Sequence, residues 1–361
     1  MHIDAPDAAD NRHRRPRLTP AIADVRRAVR EALGGTADGA LLLVGLSGGA
    51  DSLALAAATA FEAPRAGIRA GAIVVDHQLQ HGSADVASRA AAQAIALGLD
   101  PVLVRRVGVG QTAGNGPEAD ARDARYAVFR DVLAETGAVG ILLAHTLDDQ
   151  AETVLLGLAR GSGPTSLRGM SHVSGPYLRP LLGIRRATTR QACVDAGLEP
   201  WHDPQNLDHA YTRVRVRAVV LPTMESELGP GVAEALARTA EQLREDADAL
   251  DGMILETIED ICEPAEAGIA VSVGALESNP PALRHRIIRY VVQSEFGVAI
   301  ERVHVEAVAR LVTNWHGQKP LDLPGVRVAR QNGMLVFSAA PSGPTPSEAS
   351  DAALGTTSET T

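Results

Sequence analysis

Six consecutive residues near the start of the chain, Ser47-Gly48-Gly49-Ala50-Asp51-Ser52, combine two glycines, two hydroxyls and a carboxylate. They follow the apolar run Leu41–Leu46 and precede the helical spacing of Leu53–Ala60, so they form a strand-to-helix turn. Glycines let the backbone turn tightly and aim successive N–H groups at one point. The helix start adds free donors and positive potential, and the Ser47 and Ser52 hydroxyls supplement them. The result is an anion cradle. It has no lysine and none of the Gly-x-x-x-x-Gly-Lys-Ser/Thr pattern of a Walker loop, so it is a different phosphate site, suited to holding pyrophosphate as a leaving group. Asp51 would repel a phosphate unless a metal lay between them, which implies Mg²⁺. Two other readings compete. The turn serves equally as a serine-capped helix start, and Gly45-Leu46-Ser47-Gly48-Gly49 fits a hydrolase nucleophile elbow. An elbow needs several strands before it, and it leaves Asp51 without a role.

A second polar cluster, His145-Thr146-Leu147-Asp148-Asp149-Gln150-Ala151-Glu152-Thr153, follows a later apolar run. Asp149 and Glu152 are three apart and share a face in the first turn of a helix starting near Leu147. Carboxylates are favourable there in any helix, and Asp148 reads best as a cap. The chemical reading places Asp149 beside Asp51 on Mg²⁺, leaves Glu152 free for a cationic amine, and gives His145 a phosphate to donate to. Arg122 and Arg125 lie one turn apart on a helix and suit phosphates of ATP or RNA, or surface salt bridges. Arg213, Arg215 and Arg217 alternate, so in an extended segment they face one side.

These groups need elements to hold them. Apolar runs at Leu41–Leu46, Gly71–Val75, Pro101–Val107 and Ala138–Ala144, with a fifth at Tyr177–Leu182, alternate with helical patterns at Ala84–Leu97, Glu118–Glu135, Leu147–Ala159 and Arg185–Ala196. This is the rhythm of βαβ units. It predicts an α/β fold, a parallel twisted sheet with helices on both faces. Ligands then bind beyond the C-terminal strand ends, so Ser47, Asp76, Gly108 and His145 should face one crevice. The pattern changes near residue 225. Helical spacing over Val232–Ile261, Leu283–Val292 and Val305–Val312, then a hairpin over Val326–Phe337, predicts a smaller, mainly helical C-terminal domain. The expected organisation is a disordered arm over 1–17, a catalytic domain over 18–225, the helical domain over 226–339 and a flexible tail over 340–361.

Composition excludes several classes. No apolar run is long enough for a membrane span, and the Arg-rich N-terminus lacks the apolar segment of a secretory signal, so a cytoplasmic protein with no membrane partner is expected. Cys193 and Cys262 are the only cysteines, which leaves no cysteine-built cluster or disulfide framework. The net charge of -10 argues against a generic nucleic-acid binder. Its distribution is uneven: residues 160–217 hold nine arginines against four acids, a basic stripe that suits a polyanionic partner.

Ser47–Ser52 followed by His145–Thr153 resembles the PP-loop ATP pyrophosphatase superfamily. Further stretches resemble tRNA(Ile)-lysidine synthetases in order: Val75-Asp76-His77-Gln78-Leu79, Ala121–Tyr126, Gly157–Gly163, Arg179-Pro180-Leu181-Leu182, Trp201–Asn206, and Arg213–Arg217 before Leu221-Pro222. The resemblance covers roughly residues 40–225. Val214 stands where that family usually has Asn, and Gln80 where it often has Arg, so neighbours such as Arg215 or Arg217 must serve if those side chains touch RNA or ATP. The resemblance implies an adenine-nucleotide α-hydrolase-like fold and adenylation of the wobble cytidine of a CAU-anticodon tRNA(Ile). The ε-amine of free L-lysine then displaces AMP. It implies ATP on Ser47, Gly48, Gly49, Ala50, Asp51, Ser52, Asp76, His77 and Arg122. It places tRNA on Arg125, Arg160, Arg213, Arg215 and Arg217, and Mg²⁺ on Asp51 and Asp149. Chemistry falls to Asp51, His145, Asp149 and Glu152. A homodimer is compatible with the sequence. A tRNA thiolase or an ammonia-using ligase shares the adenylation step. The first needs cysteines for sulfur or an iron–sulfur cluster, which the isolated Cys193 and Cys262 do not suit, and the second has no use for the Arg-rich element.

Overall fold

The computed structural model describes residues 18–78, 82–108, 117–161, 164–266 and 268–340. Leu79, Gln80, Ser162 and Gly163 lie outside these, as do the arm 1–17 and the tail from 341 onward. The chain divides into two compact units, Met1–Arg244 and Glu245–Thr361.

The first unit is built on β1 (Leu41–Gly45), β2 (Arg69–Asp76), β3 (Val102–Arg106), β4 (Gly140–Leu142), β5 (Val173–Ser174) and β6 (Tyr177–Leu178), in the order β3-β2-β1-β4-β6-β5. All pairs are parallel except β5 with β6. The helices are α1 (Pro20–Leu33), α2 (Ala50–Glu62), α3 (Ser83–Ala96), α4 (Pro117–Thr136), α5 (Leu147–Ala159), α6 (Pro164–Leu167), α7 (Arg186–Asp195), α8 (Thr212–Arg215), α9 (Leu221–Leu228) and the start of α10 (Val232–Ile261).

The two-residue period of a strand sorts β1 between two cores. Leu42 and Val44 pack with Val25, Leu53, Leu55 and Ala90, the face covered by α1, α2 and α3. Leu41 and Leu43 pack with Ile73, Phe129, Val132 and Ile141, the face covered by α4. The crossovers thus put helices on both faces, as the alternating pattern predicts. The sheet order steps outward in opposite directions from β1 and β4, so the chain opens a crevice between their C-terminal ends. Ser47 and His145 follow those two ends.

The fifth expected strand shortens to Tyr177–Leu178, because Pro180 has no N–H for a ladder and opens a 3₁₀ turn instead. Helix α1 lies outside the sequence reading. Its polar surface masks a buried stripe of Ile22, Val25, Val29 and Leu33, started by the Thr19 cap and Pro20. Arg213–Arg217 is not extended. It forms α8 and a π-turn over Val216–Val220 that runs on into α9. In a helix Arg213 and Arg217 share a face and Arg215 does not, which breaks the one-sided stripe that alternation suggested.

The second unit carries the expected helices α12 (Pro281–Phe296) and α13 (Arg302–Thr313), with α11 (Val273–Ser278) between strand and helix. It also holds an antiparallel sheet of β7 (Cys262–Ala265), β8 (Gly268–Ser272), β9 (Leu321–Leu323), β10 (Val326–Gln331) and β11 (Met334–Ala339), ordered β7-β8-β11-β10-β9. Only the β10–β11 hairpin was visible in the sequence. The other strands are short, and β7 contains Pro264. Gly268 permits the sheet, since a Cβ there would stand 2.1 Å from the Phe337 carbonyl oxygen.

Candidate active site

The turn after β1 is stapled by its own hydroxyls. Ser52 Oγ accepts from the Ser47 N–H at 3.2 Å, donates to the Gly49 carbonyl at 2.9 Å and lies 3.1 Å from Ser47 Oγ. Gly48 has φ 83°, a left-handed conformation that glycine takes without strain. Its carbonyl accepts from the Trp201 N–H at 2.9 Å, which fixes the loop from outside. Helix α2 starts at Ala50 with Gly49 as its cap and no side-chain capping bond. The first-turn N–H groups of Ala50, Asp51 and Ser52 therefore stand at an uncapped helix start, as an anion cradle requires.

Asp149 does two jobs in the backbone. Its Oδ2 accepts from the Thr146 N–H at 2.8 Å and Thr146 Oγ1 at 2.7 Å, closing a capping box at the start of α5. Asp148, read as a cap from sequence, caps a different helix: its Oδ2 accepts from the Arg186 N–H at 2.7 Å, at the start of α7.

Glu152 is fully buried. Its two oxygens accept from Arg186 Nη1 at 3.0 Å, Arg213 Nε at 2.8 Å, Arg217 Nε at 2.8 Å and Arg217 Nη2 at 3.0 Å. Asp149 Oδ1 takes Arg186 Nη2 at 2.7 Å and Arg217 Nη2 at 3.4 Å. Arg186 Nε also stands 3.8 Å from Asp51 Oδ2, while Thr189 Oγ1 donates to Asp51 Oδ1. Three carboxylates from α2 and α5 thus meet three guanidiniums from α7, α8 and the π-turn.

Burial works against the charge on Asp149, but Arg186, Arg213 and the Thr146 hydrogen bonds overcome it and hold the carboxyl down at about 2. Burial likewise opposes charge on Glu152, and Arg217 and Arg186 bring it below the usual range. For Asp51 burial wins over Thr189 and Arg186, and its pKa is raised.

His145 follows β4 with its Nδ1 buried and unpartnered among the described residues. Burial lowers it to about 4, against the pull of Asp149. Asp76 ends β2 with Oδ1 accepting from the Gln78 N–H at 3.0 Å, while Oδ2 has Arg106 Nε at 3.9 Å and no hydrogen-bond partner among the described residues. His77 Nε2 accepts from Arg125 Nε at 3.3 Å and is lowered by burial to about 4. Arg122 sits with its guanidinium carbon 5.2 Å from the Tyr126 ring centroid. Arg160 is exposed at the far end of α5, away from Glu152. Arg215 turns back on its own loop and donates to the His209 and Ala210 carbonyls at 2.7 and 2.8 Å.

The geometry bears on two expectations for these acids. Glu152 is not free for an amine, since four N–H donors fill it. At the Asp51–Asp149 pair stands Arg186, its Nε 3.8 Å from Asp51 Oδ2 and its Nη2 2.7 Å from Asp149 Oδ1, and no three His, Cys, Asp or Glu side chains among the described residues are gathered as a metal site. Arg186 and Thr189 are the residues that sequence reasoning missed. Their helix was read only as an element, although Arg185-Arg186 at its start put unspent positive charge where a helix N-terminus disfavours it.

Fold and cradle define the class first. Residues 22–224 match the family model for the PP-loop domain, and residues 272–336 match the TilS substrate binding domain. Among solved structures the U34-tRNA thiolase NcsA from Methanococcus maripaludis superposes with a TM-score of 0.53 at 20% identity, covering 62% of this chain and 80% of that one, a likeness of fold. The chain is 66% identical over 302 residues to a tRNA(Ile)-lysidine synthase of Leifsonia xyli subsp. xyli, covering 83% of this chain and 90% of the relative. It is 50% identical over 323 residues to that of Thermobifida fusca, covering 89% and 98%. The chain belongs to the tRNA(Ile)-lysidine synthase family. No helix among the described residues is long and apolar enough to cross a membrane.

Proposed function

We propose that this enzyme adenylates the wobble cytidine of a CAU-anticodon tRNA(Ile) with ATP and then joins that base to L-lysine. In the first step the base carbonyl oxygen attacks the α-phosphorus, and the bond to pyrophosphate breaks. In the second the lysine ε-amine forms the new C–N bond, AMP departs with the oxygen, and the amine gives up a proton. The observation that carries this reading is the uncapped cradle at Ser47–Ser52, set across the crevice from the Asp149–Glu152 cluster in a chain of this family.

The cradle suits departing pyrophosphate, because backbone donors held before the reaction cost no reorganisation during it. Magnesium enters as the counter-ion that ATP carries on its phosphates. Of the three acids, Asp51 alone keeps an oxygen without a close donor among the described residues, and its raised pKa suits it to accept the amine proton. His145, neutral at physiological pH, offers a donor or acceptor at the end of β4. Cytoplasm, where tRNA, ATP and lysine meet, is the matching location.

The test is incorporation of labelled lysine into a tRNA(Ile) transcript with the CAU anticodon, beside a tRNA(Met) control. Lysine enters only the first, with AMP and pyrophosphate released in step. Pyrophosphate release that depends on ammonia or a sulfur donor instead would overturn the substrate assignment. Asp51→Asn slows lysine incorporation far more than pyrophosphate release while leaving the fold intact.

A further inference from the structure

The sequence pattern asks for a cation between Asp51 and Asp149. The structure supplies one from the chain itself. Arg186 is 8% exposed and is the one side chain among the described residues that reaches Asp51, Asp149 and Glu152 together, at 3.8, 2.7 and 3.0 Å. It is anchored twice more through its backbone. Its N–H donates to Asp148 Oδ2, and its carbonyl lies 2.9 Å from Thr189 Oγ1, whose single hydrogen is shared between that carbonyl and Asp51 Oδ1.

Removing Arg186 would leave three carboxylates facing Arg213 and Arg217, two guanidiniums that reach only Asp149 and Glu152. Asp51, on the helix that opens the nucleotide cradle, would have no guanidinium within ion-pair distance among the described residues and would keep only the longer-range pull of Arg190. A guanidinium fork suits this task where an ammonium does not. It is planar, always charged, and presents Nε, Nη1 and Nη2 in fixed directions to three acceptors. Lysine offers one compact charge on a flexible stem, with no fixed fork to set three acids in place.

We propose that Arg186 is the built-in cation of this site in the nucleotide-free enzyme. It excludes a divalent ion from the Asp51–Asp149 pair and acts as the positioning residue that locks the helix of the phosphate loop to the acids of α5. The inference concerns the chain's own residues at this site, and its first arm uses neither tRNA nor lysine, so it stands or falls apart from the reaction proposed above.

The test titrates Mn²⁺ alone against the full-length chain without nucleotide, reading the loss of the free-ion paramagnetic signal. Wild type and Arg186→Lys bind no Mn²⁺ below about 1 mM, the weak end of carboxylate sites. Arg186→Met exposes one site per chain, and adding Asp51→Asn to it removes that site. A second arm measures adenylation by pyrophosphate release with tRNA. A displaced catalytic group costs roughly 100-fold in rate, so Arg186→Lys lowers kcat by about that factor. KM for ATP stays within about threefold, the signature of lost positioning rather than lost binding. Added methylguanidine restores part of the rate of Arg186→Ala, and methylamine does not. Mn²⁺ bound tightly by nucleotide-free wild type and lost in Asp51→Asn overturns the proposal. So does a folded Arg186→Met that binds none, or an Arg186→Lys enzyme with wild-type kcat. Where Arg186→Met does not fold, the wild-type and Arg186→Lys results decide.

Discussion

Glu152→Gln separates two roles for the same carboxylate. An amine subsite predicts that only the lysine requirement rises. The structure predicts that the first unit loses stability. Glu152 has no exposed surface, and its two oxygens take four N–H donors from Arg186, Arg213 and Arg217. Glutamine keeps the shape but removes the charge and turns an NH₂ toward a guanidinium. Deleting one partner of a buried ion pair costs about 3–5 kcal/mol, because the partner charges stay buried. Asp149 remains to compensate part of this, which favours the lower end. In a unit of this size each kcal/mol moves Tm by roughly 2–4 °C, so a drop on the order of 10 °C is expected. The chain has two tryptophans, Trp201 and Trp315, one in each unit. Trp315→Phe therefore leaves Trp201 to report the first unit alone in a urea titration. Arg217→Gln on its own should also destabilise, and the double variant should lose less than the sum, by about 1–3 kcal/mol of coupling. A Glu152→Gln protein within about 0.5 kcal/mol of wild type, the range of ordinary surface changes, would refute the hub and return Glu152 to the amine.

Three further outcomes follow from the same geometry. Gly48→Ala forces a side chain into the left-handed region at φ 83°; it should cost about 1–2 kcal/mol and cut pyrophosphate release, read against an unchanged Gly49→Ala fold by circular dichroism. His145 and His77 both sit near 4, below the ordinary histidine value of 6.5. The unfolded chain therefore takes up their protons first, and stability should fall as pH drops from 6.5 toward 4. The Asp149 contribution survives that window and is lost only as pH falls from 3.8 toward 2. Urea midpoints at pH 5 and pH 7 check this, and His145→Asn should flatten the slope. Arg215 spends its guanidinium on the His209 and Ala210 carbonyls, so Arg215→Ala should leave the salt dependence of tRNA binding unchanged, where a phosphate contact would lower the slope by about one.

What the sequence showed and what it hid divide along a physical line. The parallel sheet was legible because each of its parallel strands lies in an apolar run of its own between turn signals, whereas the two-residue antiparallel β5 carries none. Periodicity records burial that a segment achieves by itself. The cradle was legible for a similar reason: Ser47–Ser52 is a local turn, and the bonds that hold it span five residues at most, apart from the Trp201 contact. The acid cluster was only half legible. The shared face of Asp149 and Glu152 follows from helix geometry, but their occupancy depends on arginines 34 to 68 residues away. No local pattern marks Arg186 as the arginine that faces inward. The Arg213–Arg217 element misled for the opposite reason. Its alternation is a strand pattern, yet buried Glu152 rewards two guanidiniums four residues apart, and the chain coils to provide them. Charge satisfaction in the interior thus overrode local periodicity, and it did so at the place where the sequence is richest in chemistry. A site built from carboxylates on one pair of helices and their counter-ions on another is the kind of feature that residue types announce and only the fold completes.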